Sequence, residues 1–121
     1  MEREFVSYEE ALELKQLGFD EPCLGRYDPL KVLVTISRPN NNSYYKGSVP
    51  SFISAPLYQQ AFRWFREKHK LVSCIRTNFN VDFYYEIYID HMNEMMSDYY
   101  KTYEESELEC LKELIQIVKS K

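Results

Sequence analysis

The spacing of apolar residues changes several times along the chain, and each change marks an element. Ala11, Leu14 and Leu17 recur at helical spacing, with Leu12 on the flank. Ser7 and Glu10 stand ahead of them as a capping box, and Val6 and Ala11 occupy the positions of a hydrophobic staple. Gly18 follows the last apolar position, where a left-handed residue closes a helix and lets Phe19 fold back. The pattern predicts a helix over residues 8–17. Asp20-Glu21-Pro22 and the stretch from Gly25 to Pro29 read as loop. From Lys31 to Ser37 the period drops to two. Val32, Val34 and Ile36 alternate with Leu33, Thr35 and Ser37, which predicts a strand with one firmly apolar face.

Residues 38–55 lose periodicity. Arg38-Pro39-Asn40-Asn41-Asn42-Ser43 opens the stretch and Ser54-Ala55-Pro56 closes it. A long irregular loop is predicted here, of the kind that is either functional or disordered. Residues 39–53 are expected to be the most mobile internal segment and to carry no essential core contact. Pro56 then suits the first position of a second helix, where its missing amide costs nothing. On that helix Leu57, Ala61, Phe62 and Phe65 share one face, Tyr58 and Trp64 lie at its margins, and Arg63, Arg66, Glu67 and Lys70 face away.

Two strands follow, Leu71–Arg76 and Asp82–Asp90, with a linker short enough for an antiparallel hairpin. In the second, Phe83, Tyr85, Ile87 and Ile89 point inward, and Tyr84, Glu86, Tyr88 and Asp90 outward. The segment from His91 to Ser97 is ambiguous. Met92, Met95 and Met96 fit one helical turn, and Asp98–Lys101 fits an edge strand. Thr102 and Glu105 form a second capping box for a helix from Tyr103 to Lys119. Its stripe is Leu108, Leu111, Leu114, Ile115 and Val118. The order α-β-α-β-β-(β)-α predicts an α+β fold. It would be an antiparallel sheet of three to four strands with about three helices on one face, in a single domain over residues 1–121.

Composition narrows the class. The chain has 121 residues, 45% hydrophobic and 28% charged, with three Gly and five Pro. Collagen-like, low-complexity and wholly disordered chains are excluded. A chain of this size buries roughly two-thirds of its unfolded surface, enough for a core without staples. No apolar run is long enough to span a membrane, and Met1-Glu2-Arg3-Glu4-Phe5 is too acidic for a secretory signal. The three cysteines, Cys23, Cys74 and Cys110, are too few for a disulfide framework and too widely spaced for a zinc site. Buried free thiols and a cytoplasmic setting are expected.

Charge is segregated. Residues 26–76 carry nine bases and two acids, whereas residues 1–25 carry seven acids and two bases, and residues 86–109 eight acids and one base. Arg63, Arg66, Lys68, Lys70 and Arg76 form a candidate anion-binding patch. Residues 56–119 also read α-β-β-β-α, the order of a double-stranded-RNA-binding domain. Yet Glu104, Glu105, Glu107 and Glu109 stand at the start of the last helix, where that fold presents bases to phosphates.

Catalytic patterns are not recognisable. There is no nucleophile elbow and no phosphate-binding glycine loop. Asp90, Glu94 and Asp98, with His91, would line up as metal ligands only on a continuous helix, and a solvated acidic edge is the simpler expectation. Cys74 with His69 or His91 is conceivable as a nucleophile pair, but a strand position beside Val72 and Ile75 suits a structural thiol better. No enzymatic activity and no cofactor are expected.

The aromatic content, 16%, points elsewhere. Tyr84 and Tyr88, with Glu86 between them, lie on the outward face of a strand, and Tyr44 and Tyr45 in a polar loop. Tyrosine is enriched at interfaces because it combines apolar area with a hydrogen-bonding tip. These five residues form the candidate interaction surface for a protein partner, with a second copy of the chain among the possibilities. Nucleic acid at the basic patch is the alternative, and no membrane is expected.

One resemblance adds to this. Ala55-Pro56 followed by Gln60-Ala61-Phe62-Arg63-Trp64-Phe65-Arg66-Glu67-Lys68 resembles the signature of a small family encoded in bacterial prophages and mobile elements, mainly of gut anaerobes. Leu17-Gly18-Phe19-Asp20-Glu21-Pro22-Cys23 resembles it too, as do Tyr103-Glu104-Glu105, Glu107-Leu108 and Cys110-Leu111. Together these cover about a third of the chain. The resemblance implies a bacterial, cytoplasmic, phage-associated origin and carries no activity with it.

Overall fold

The structure, a computed structural model, describes residues 4–47 and 51–121. The class is α+β, as the pattern predicts. The strands are divided between two small antiparallel sheets of three strands each. The chain forms two compact units, one ending at Gln60 and the other running from Ala61 to Lys121.

The first unit opens with helix α1, Tyr8–Gln16. Ser7 donates its hydroxyl to the Glu10 carboxylate, so the capping pair closes side chain to side chain rather than through amides. The far end is a Schellman motif. Gly18 sits at φ +97°, the Phe19 amide donates to the Leu14 carbonyl at 2.9 Å, and Gly18 donates to Lys15 at 3.0 Å. Ala11, Leu14 and Phe19 are buried by this closure.

Strand β1, Cys23–Tyr27, takes in the first residues of the Gly25–Pro29 stretch expected to be loop. It is the middle strand, flanked by β2, Leu33–Asn40, and β3, Ile53–Ala55. Gly25 explains both the strand and why it is hard to recognise. A Cβ there would stand 2.7 Å from a ring carbon of Phe5 and 3.0 Å from the Ala55 carbonyl oxygen. Only glycine lets that ring lie on the backbone. Tyr27 ties the same region together by donating to the Val6 carbonyl at 2.7 Å. Strand β2 is an edge strand, and its expected apolar face is only half-buried, with Val32 just outside it exposed.

The stretch expected to be an irregular loop carries the end of β2, a one-turn helix α2, Asn42–Tyr45, and β3. Residues 48–50 of that stretch lie outside the described residues. Asn42 is buried and bridges two backbones, donating to the Phe19 carbonyl at 3.0 Å and accepting from the Ser54 amide at 2.9 Å. Asp20 accepts from the Ser43 amide at 2.7 Å. Around Asn42, Ser43 and Ser54 the described residues of the segment are held by core contacts, contrary to the expectation drawn from its three asparagines.

Helix α3, Tyr58–His69, starts two residues after Pro56, whose carbonyl accepts from the Val6 amide at 2.8 Å. Its residues in the second unit bury Ala61, Trp64 and Phe65, while Phe62 is half-buried. Strands β4, Val72–Thr77, β5, Phe83–Tyr88, and β6, Glu94–Met96, form the second sheet in the order β4-β5-β6. Helix α4, Tyr103–Lys119, packs against β5 and β4. Thr102 caps it through the Glu105 amide at 3.1 Å, as its capping box predicts. Leu111 and Leu114 are fully buried and Ile115 nearly so; Leu108, Ile117 and Val118 are half-buried.

The stretch 91–101 is not a helical turn. It is a tight turn, then β6, then a bridge from Tyr100 to Phe83. The methionines therefore scatter: Met92 stands in the turn, Met95 opposite Ile87, and Met96 opposite Glu86.

Two substitutions separate the forces at work. Leu111→Ala removes the centre of the α4 stripe and is expected to cost about 2–5 kcal/mol in denaturant unfolding. Gly25→Ala adds one methyl and is expected to cost about 1–3 kcal/mol by forcing Phe5 aside. A loss of less than roughly 0.5 kcal/mol for either, typical of surface positions, would contradict the packing described.

His69 supplies a pH prediction. Its Nε2 is buried without a hydrogen-bond partner among the described residues, and its ring lies edge-on to Trp64 at 4.9 Å. Burial, then the charges of Lys121 and Lys68, hold its pKa below the ordinary 6.5. The folded state favours neutral imidazole, so the unfolded chain binds the proton more readily. This contribution is complete above pH 6.5 and is lost as pH falls through the folded-state pKa. Between about pH 7 and about pH 5, unfolding titrations of His69→Gln are expected to fall less steeply than those of the parent. Equal slopes would refute the assignment.

Candidate functional site

In antiparallel pairs, directly opposed residues share a face. Val72 opposes Tyr88, Cys74 opposes Glu86, and Arg76 opposes Tyr84; Glu86 also opposes Met96, and Tyr88 opposes Glu94. These eight residues make one face of the second sheet. Ser73, Ile75, Thr77, Phe83, Tyr85, Ile87 and Met95 make the other, which α4 covers. The period-two reading of β5 is thus realised at Tyr84, Glu86 and Tyr88. It fails at Ile89, expected inward but exposed, because β5 ends at Tyr88 and the turn begins, with the Ile89 amide donating to the Asn93 carbonyl at 3.0 Å.

At the centre of the outer face, Glu86 gathers three donors. Arg76 Nε donates to its carboxylate, the Tyr88 hydroxyl at 3.3 Å, and the Cys74 thiol at 3.6 Å. The Glu86 side chain is 15% exposed and that of Arg76 55%. Hydrogen bonds to Glu86, Tyr88 and Cys74 push the Arg76 guanidinium pKa above its ordinary value. Burial raises the Cys74 pKa despite Arg76 beside it, so this thiol is no activated nucleophile. Cys23 and Cys110 are buried, and desolvation pushes each up to about 12. Around this polar centre lie apolar groups: Val72 and Met96 are exposed, and the Tyr84 ring meets the exposed Tyr99 edge-on at 5.5 Å. Where the face meets the β5–β6 turn, an open cleft of about 490 Å³ is lined by Lys70, Val72, Tyr88, His91, Met92 and Glu94 among others.

The other expected site residues have different fates. Tyr44 is exposed on α2, but Tyr45 is buried, 3% exposed, and belongs to the core of the first unit. Its ring meets Phe52 at 5.5 Å, and the Arg26 guanidinium lies 4.1 Å over Phe52 and 5.9 Å from Tyr45. A single helical turn sends neighbouring side chains in different directions, and the burial of Asn42 in the same turn decides which one is covered. Arg63, Arg66, Lys68 and Lys70 are exposed on α3 and just beyond it, whereas Arg76 is committed to Glu86.

The acidic run does not form the helical row that metal binding would require. Asp90 accepts from the Met92 and Asn93 amides at 2.8 and 2.9 Å, and Glu94 lies on β6. Among the described residues, no three of His, Cys, Asp and Glu are grouped to hold a metal ion.

The β4–β5 hairpin adds a feature that periodicity does not reveal. Asn78 Oδ1 accepts from the Asn80 and Asp82 amides at 2.9 and 3.0 Å, which closes a tight tip. That tip leaves Phe79 fully exposed and places Val81 at φ +60°. The two asparagines flanking Phe79 are the only sequence signal for it.

No family model, curated protein or solved structure matches the chain. No helix among the described residues is long and apolar enough to cross a membrane.

Valine disfavours the left-handed conformation by roughly 1–2 kcal/mol. Val81→Gly is therefore expected to raise stability, by up to about 1 kcal/mol after the extra flexibility of the unfolded glycine is deducted. Thermal and denaturant unfolding check this; a destabilised variant would mean Val81 makes contacts that outweigh the strain.

Proposed function

We propose that the chain is a non-enzymatic protein-interaction module whose contact surface is the outer face of the β4-β5-β6 sheet. One observation carries this reading: α4 covers one face of that sheet, while the other keeps Val72, Tyr84, Tyr88 and Met96 partly or wholly exposed around a neutralised Arg76–Glu86 pair. Burying one such tyrosine against a partner yields roughly 1.5–3 kcal/mol from area alone. The internal ion pair removes net charge from the centre, where interfaces are poor in charged residues. A bacterial, cytoplasmic, phage-associated setting is part of this proposal and rests on the sequence resemblance alone.

Nucleic-acid binding is the second reading. The exposure of Arg63, Arg66, Lys68 and Lys70 favours it. The pairing of Arg76 with Glu86 and the exposed Glu104 and Glu105 at the start of α4 weigh against it.

Capture of partners from bacterial lysate, with and without nuclease, separates the readings. Partners that persist after nuclease and are lost with Tyr84→Ala/Tyr88→Ala, at unchanged melting temperature, are the expected result. A double variant that melts lower while binding persists would make these tyrosines ordinary core residues.

A further inference from the structure

We propose that two copies of this chain join edge to edge through strand β4, so that two three-stranded sheets become one continuous sheet. This goes beyond the reading above, because it uses the rim of the second sheet and leaves the outer face free.

The hydrogen bonding of β5 fixes which backbone groups of β4 are open. Phe83 and Tyr100 exchange backbone hydrogen bonds at 2.8 and 2.7 Å, so the odd-numbered residues of β5 point their backbone groups toward the β6 side. At the hairpin, the Asn78 amide donates to the Asp82 carbonyl at 3.0 Å, so the even-numbered residues turn toward β4. With the pairing Val72–Tyr88, Cys74–Glu86 and Arg76–Tyr84, the backbone groups of Val72, Cys74 and Arg76 are used inside the sheet. Those of Ser73, Ile75 and Thr77 point outward, along an edge that no strand among the described residues covers.

Native sheets blunt their edges with short strands, charges, prolines or bulges. The other edges described here are blunted in these ways. Strand β2 carries Arg38 and Pro39, and its pairing with β1 shifts register; β3 and β6 have three residues each. Strand β4 has six residues, no proline and an unbroken register with β5. Its one charged residue, Arg76, is bonded to Glu86 of its own sheet. Val72, Ile75 and Thr77 are β-branched and suit a paired strand.

The register identifies a second copy as the occupant. An antiparallel copy related by a two-fold axis at Ile75 sets Ile75 against Ile75, and Ser73 against Thr77 of the other copy. These are the residues whose backbone groups point outward, so each pair exchanges both of its hydrogen bonds. Their side chains make an apolar pair at the centre with a hydroxyl pair on either side, both favourable across strands. Ile75 and Ser73 are half-buried and Thr77 is exposed in the single chain, so apolar area remains to be covered. Cys74 then faces Arg76 of the other copy, and no like charges are opposed. A shift of two residues either way leaves fewer bonded pairs, and one of those shifts sets Arg76 against Arg76. The covering helices have room. Helix α4 packs against β5 and β4, and the two β5 strands would lie three strand spacings apart, roughly 14 Å. Packed helices need about 8–10 Å.

Sedimentation of the full chain over a dilution series tests this. A monomer–dimer equilibrium is expected. Ile75→Pro removes an amide that bonds nothing inside its own sheet. It is expected to raise the dissociation constant about tenfold or more. The parent chain gives a reading that does not depend on that variant folding. Its Ser73, Ile75 and Thr77 amides are expected to exchange fast when dilute and slowly when concentrated, with Cys74 and Arg76 slow throughout. In a mixture of isotope-labelled and unlabelled chains, the Ile75 methyl groups of two copies are expected to show a nuclear Overhauser contact. A chain that stays monomeric up to about 1 mM, exchange at those amides that ignores concentration, or no contact between the Ile75 methyls would each overturn the proposal. Tyr84→Ala/Tyr88→Ala is expected to leave the dimer intact, because both rings lie on β5. A dimer that survives Ile75→Pro and is lost with the tyrosine pair would overturn the edge and place the joint on the outer face.

Discussion

One-sided coverage of the β4-β5-β6 sheet governs the second half of the molecule. The period of a strand is two, so the residues that meet the buried stripe of α4 and those that do not are fixed together. Tyr85 and Ile87 can be buried only if Tyr84, Glu86 and Tyr88 face the other way. The outer face is a necessary consequence of packing. Its chemistry is not, because threonine or lysine would meet the same geometric demand with less apolar area left in water.

Glu86 is the polar centre of that face. A carboxylate there alone would repel an apolar partner, and a lone Arg76 would attract any polyanion. Held together with the Tyr88 hydroxyl and the Cys74 thiol, they form a satisfied cluster that leaves the surrounding rings as the distinctive surface. The same cluster orders the exposed Arg76 and the half-buried Glu86 and Tyr88, so less conformational entropy remains to be lost on binding.

Features closed by local contacts were legible in the sequence. The Schellman end of α1 at Gly18 and Phe19, the Thr102–Glu105 cap of α4 and the alternation of β5 all stand as their patterns predict. Features closed by distant contacts were not. The stretch from Gly25 to Pro29 reads as loop, yet Gly25 lies in strand β1 and is there for the ring of Phe5. Asn42 looks like a loop former, and its role depends on the Phe19 carbonyl and the Ser54 amide, each remote in sequence. Nothing local assigns the strands to two sheets rather than one. For the site, Tyr84, Glu86 and Tyr88 were readable from alternation alone, whereas the burial of Tyr45 and the engagement of Arg76 depended on partners that no spacing rule names.

Amide hydrogen exchange along β4 in the dilute, monomeric chain tests this account most directly. An open edge requires alternation: slow exchange at Cys74 and Arg76, whose amides face β5, and fast exchange at Ser73, Ile75 and Thr77, whose amides face outward. Uniform protection from Val72 to Thr77 would show that the edge is already paired, and would contradict the claim that this sheet is left open to a partner.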